Sequence, residues 1–138
     1  MNINKKSILS TGSAVVLASG LIIILVLLTV PLASGFSLQV QRGISLFIFF
    51  FSLLVVAPLV SQRLNRLPDI KKILGWTFIG LAAEFLIFPV TMLFLVLSSP
   101  SIVALLLGGM AFAISVVFGI PASLISFIMG ISLIKNRK

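Results

Sequence analysis

The chain has 138 residues, 60% of them apolar and 9% charged, with a net charge of +8 and no cysteine, histidine or tyrosine. Soluble domains carry roughly 25% charged residues, so this composition excludes an ordinary soluble fold. The absence of cysteine and histidine excludes disulfides, thiolate metal sites and histidine-based catalysis. A basic balance also attracts nucleic acid, but here the lysines and arginines stand in short clusters at the ends of apolar runs with no aromatic residues between them. That is the pattern of membrane flanks, and no nucleic-acid partner is expected.

A hydrocarbon layer of ~30 Å asks about 20 apolar residues of a helix that rises ~1.5 Å per residue. The first such run covers about residues 7–30, behind Lys5 and Lys6, and is expected to stop at Pro31. Its charged start and the following "PLASG" resemble a signal peptide, but more than twenty residues favour a retained span over a cleaved one. The second run covers about 43–60, with Pro58 near its end, and its "FIFFF" segment (Phe47 to Phe51) is expected to face lipid or neighbouring helices. A basic loop, "SQRLNRLPDIKK", fills 61–72 and offers Arg63, Arg66, Lys71 and Lys72 to anionic lipid headgroups.

The third run covers 73–97 and ends at "SSPS". The fourth spans 100–134, with Ser99 as the expected N-cap and Pro100 at the first helical position. As one straight helix the apolar residues Ile102 to Ile134 would reach ~50 Å, more than a bilayer core needs. Gly119 and Pro121 therefore predict a kink, and "LLLGGM" at 105–110 leaves open a short re-entrant piece over 100–108.

The expected fold is all-α: one polytopic membrane domain over 1–138, with four transmembrane helices as two up-down hairpins and the fourth kinked near Pro121. Backbone groups must be satisfied internally in lipid, and the alternation of barrel strands is absent. Lys5, Lys6, Arg63, Arg66, Lys71, Lys72, Lys135, Arg137 and Lys138 fall on one side and Arg42 alone on the other. Both termini and the middle loop are therefore expected in the cytoplasm, at a prokaryotic plasma membrane.

On the third span Thr77, Glu84, Thr91 and Ser98 recur every seven residues, a spacing that drifts only ~20° per step around a helix. Gly80 shares that side. The row is a polar seam, and Glu84 is its unusual member. It lies near the bilayer midplane, where an ionised acid costs roughly 2.5 kcal/mol or more, and no lysine or arginine stands in any span at that depth. A carboxyl so placed should hold its proton, either as a hydrogen-bond donor to a neighbouring helix or as a proton or cation site. The fourth span carries two small-residue rows, Ala111, Ser115, Gly119 and Ser123, then Ala122, Ser126 and Gly130, which allow close helix approach within the chain or between copies.

Asp69 and Glu84 are the only acids and stand ~20 Å apart along the chain's third span, too far for paired acid–base work. No metal-ligand cluster, G-x-S-x-G elbow or phosphate-binding glycine loop is present, so neither enzyme activity nor a cofactor or metal is expected. The function expected is helix association, as a homo-oligomer or as an accessory or structural subunit of a membrane complex. The alternative is a proton- or cation-coupled transporter or channel that uses Glu84.

Overall fold

The computed structural model describes residues 2–32, 35, 37–98 and 102–135. Four long helices account for nearly all of them: α1 (Asn2–Leu32), α2 (Leu38–Asn65), α3 (Ile70–Leu97) and α4 (Ile102–Lys135). Each contains a stretch long and apolar enough to cross a membrane. The expected N-cap Ser99 and Pro100, and the tail residues Arg137 and Lys138, lie outside the described residues.

The helices are longer than the apolar runs that announce them. Pro31 falls in the last turn of α1 instead of stopping it before that turn, although its ring nitrogen has no hydrogen to donate to the carbonyl four residues back. "SQRLN" continues α2 beyond its apolar part, and Lys71 and Lys72 lie in the first turn of α3. The basic loop expected over 61–72 thus shrinks to residues 66–69. Glutamine, arginine and leucine are good helix formers, so the helix outlasts the apolar run. Arg66 closes α2 with its N–H donating to Arg63 O at 3.3 Å, and Asp69 precedes α3 in an extended conformation without a side-chain cap. The fourth helix is continuous through Gly108 and Gly109, so 105–110 forms no separate re-entrant piece.

Consecutive helices pair as α1–α2 and α3–α4, and α1 packs on α3 to join the two hairpins. Among the described residues α4 touches α3 alone and α2 touches α3 only slightly, so the spatial order is α2–α1–α3–α4. Helix α1 supplies most of the core, with Ala14, Ala18 and Ile22 fully covered. Near the chain's amino end Ala14, Leu64 and Ile73 meet, and the single hydroxyl hydrogen of Ser10 is shared between two acceptors, Asn65 Oδ1 at 2.5 Å and Ser7 O at 2.9 Å from Oγ. This contact zips α2 to α1 at that end. Leu64 is the only buried side chain of α2 among the described residues.

Helices α3 and α4 run antiparallel at backbone contact. A methyl placed on Gly130 would lie 2.8 Å from Gly75 O, and one on Gly75 would lie 2.9 Å from Gly130 O. Higher in the pair, Ser123 Oγ donates to Ala82 O at 2.8 Å. Pro89 has no N–H for Phe85 O, and that carbonyl turns to α4 where Gly119 has no side chain: a methyl there would stand 3.0 Å from it. Glycine thus lets the neighbouring backbone cover a carbonyl that proline leaves without its helical donor, a place suited to weak Cα–H···O contact.

Candidate functional site

Two heptad rows run along α3, offset by two residues and so by about 200° around the helix. One row, Gly75, Ala82, Pro89 and Val96, meets α4. The other carries Thr77, Glu84 and Thr91, and with Gly80 it turns towards α1. Helix α3 is therefore held between two partners, and the polar row lies on the side of α1.

Around Glu84 the two helices exchange side chains for glycines. Leu17 of α1 seats over Gly80, where an added methyl would lie 2.6 Å from Leu17 Cδ2. One turn higher Glu84 of α3 seats over Gly20 of α1, where an added methyl would overlap the carboxyl, with its carbon at 2.6 Å. The two contacts advance together along both chains, so α1 and α3 are parallel. Glu84 is half-buried as a residue, but its Oε1 is fully covered and has no hydrogen-bond partner among the described residues.

The other members of the seam do not join it. Thr77 Oγ1 donates to Ile73 O at 2.7 Å, Thr91 Oγ1 to Ile87 O at 3.1 Å and Ser98 Oγ to Phe94 O at 2.8 Å. Each hydroxyl is satisfied by its own helix one turn back, as is common for serine and threonine inside helices. Successive members also stand ~10 Å apart along the axis. Thr77 and Thr91 are buried and Ser98 is exposed. The geometry concentrates on Glu84 and Gly20, without a hydrogen-bonded relay.

No family model, curated protein or solved structure matches this chain.

The small residues of α4 meet the chain itself. Gly119, Ser123 and Gly130 contact α3 as described above, Ser115 and Ser126 are buried, and Ala111 and Ala122 are half-buried. Ser115 Oγ donates to Phe112 O within its own helix. Among the described residues no three potential metal-ligating side chains come together.

Charge collects at one end. The amino end of α1, the carboxyl ends of α2 and α4 and the amino end of α3 lie together, bringing Lys5, Lys6, Arg63, Arg66, Lys71, Lys72 and Lys135 to one side of the molecule, with Asp69 among them. Arg42, exposed near the start of α2, stands at the other end.

Gly20 is the residue that the sequence reading missed. A glycine in mid-helix costs ~1 kcal/mol relative to alanine, so one in the centre of an apolar span calls for a close neighbour. That signal was present, but it does not say which residue fills the space.

Proposed function

We propose that this chain is an integral membrane protein that acts through helix association, as a homo-oligomer or as an accessory subunit of a membrane complex, and not as an enzyme. Its basic end would face the cytoplasm with both termini, in contact with anionic headgroups. The observation that carries the reading is the surface of α2. Phe47, Phe50, Phe51 and Leu54 are 68, 59, 59 and 74% exposed and follow one another at helical spacing, a ridge directed away from α1. Phe47 and Phe51 stack with ring centres 5.7 Å apart, which stiffens the ridge. Helices associate in lipid by shape and packing, because lipid tails cover apolar side chains as readily as a partner does. A rigid aromatic ridge on the least buried helix fits such a contact, whereas the small residues of α4 are occupied by α3. Mass measurement of the full chain in mild detergent should give an oligomer or a co-purifying partner. A lone monomer at native expression levels overturns the reading.

A second reading rests on Glu84. A covered carboxyl oxygen without a partner, packed against Gly20 between two helices, suits the binding and release of a proton or cation. Pro58, Pro89 and Pro121 lie inside helices and would serve as bending points, Pro121 being the place where a kink in α4 is expected. Reconstituted vesicles would then show a flux that Glu84→Gln abolishes; equal flux in both proteins removes this reading.

A further inference from the structure

Above its zipped end the α1–α2 hairpin encloses an apolar groove of about 220 Å³, lined by Ile23, Val26 and Leu27 of α1 and Ser45, Leu46 and Phe49 of α2. On α2 the lining residues follow Arg42 at spacings of three, four and seven, so the arginine shares their face one turn nearer the helix start. Phe49 lies ~10 Å further along the axis. Arg42 is exposed and is the only basic residue at that end of the molecule among the described residues.

We propose that this groove holds one acyl chain of a glycerophospholipid whose phosphate is bound by Arg42. The order of chemistry along α2, a cation followed by one serine and then the apolar Leu46 and Phe49, matches a lipid entering head outward. The guanidinium offers a planar fork to the phosphate oxygens. The groove has room for a chain because α2 is held to α1 mainly at the opposite end, through Ser10, Asn65 and Leu64. This site is separate from the headgroup contacts of the basic end and from the aromatic ridge, which lies on the other side of α2.

Native mass spectrometry of the full chain tests it, with phosphatidylglycerol, phosphatidylcholine and diacylglycerol added in turn. The two phosphate-bearing lipids should each give one retained molecule per chain, and diacylglycerol, which lacks the phosphate, should be retained about tenfold less. Arg42→Gln should lower retention of both phospholipids about tenfold and leave diacylglycerol unchanged. Leu46→Trp, which fills the groove, should remove retention of all three, while Phe118→Trp on the exposed side of α4 should not. Equal retention by wild type and Arg42→Gln, or diacylglycerol held as well as the phospholipids, overturns the proposal. Arg42→Gln alters an exposed side chain and keeps the test valid if Leu46→Trp does not fold. Phosphatidylglycerol retained and phosphatidylcholine not retained would also overturn it, since recognition would then rest on lipid net charge and not on the phosphate.

Discussion

Replacing Gly130 by alanine should weaken the α3–α4 pair, and the structure gives the size of the effect. The new methyl would stand 2.8 Å from Gly75 O and from Ile79 Cγ1, and 3.2 Å from Ile79 N. Two of these are backbone atoms of α3, which cannot rotate aside, so the helices must separate. Overpacking of this kind costs ~1–3 kcal/mol. Alanine also gains up to ~1 kcal/mol of helix propensity over glycine, which partly hides the loss. Gly109→Ala supplies the correction, because a methyl at Gly109 has nothing within 4 Å and lies in the same helix. The difference between the two variants then isolates the contact. Reversible unfolding in mixed micelles can be followed by the fluorescence of Trp76, the single tryptophan, which adjoins Gly75 in α3. Gly130→Ala should unfold with an equilibrium constant about tenfold or more above that of Gly109→Ala, each tenfold being 1.4 kcal/mol. Equal stability of the two variants would refute a backbone-level approach of α3 and α4.

Other expectations follow from single contacts. Ser123→Ala should cost ~1 kcal/mol in the same unfolding assay through loss of the bond to Ala82 O, while Ser115→Ala, whose hydroxyl serves only its own helix, should change stability by less than half as much. A hydrophobic carbodiimide, which attacks protonated carboxyls in apolar surroundings, should label Glu84 and leave exposed Asp69 unmodified, with labelling lost in Glu84→Gln; mass analysis of fragments decides. Gly20→Leu should displace the Glu84 carboxyl and change that labelling rate several-fold, whereas Gly12→Leu, in open space, should not. Single cysteines at Gln62 and Ser37, introduced into a chain that has none, should react with an impermeant thiol reagent from opposite sides of the membrane, Gln62 from the cytoplasm.

Helix number, order and pairing were legible because long apolar runs bounded by charge leave few alternatives in lipid. The helix ends were not. Hydropathy reports where an apolar run ends, and residues such as Gln62 and Arg63 continue the helix beyond it. The polar face of α3 was visible in the spacing of Thr77, Glu84 and Thr91, but its neighbour was not, since the pairing of Glu84 with Gly20 joins positions 64 residues apart. The same limit applied to α4. A row of small residues announces a close contact, yet only the three-dimensional arrangement assigns Gly119 to the Phe85 carbonyl and Gly130 to Gly75. The side-by-side order α2–α1–α3–α4, which leaves α2 so open, follows from helix contacts that periodicity does not encode.

Association through α2 is tested most directly by cross-linking in native membranes. Since the chain contains no cysteine, a single Phe51→Cys substitution can form a disulfide only with another copy or with a partner protein. Oxidation should convert the Phe51→Cys chain to a dimer or to a discrete adduct of higher mass, while Phe118→Cys on the exposed side of α4 should remain monomeric. Monomer alone from Phe51→Cys, with Phe118→Cys cross-linking instead, would contradict the account.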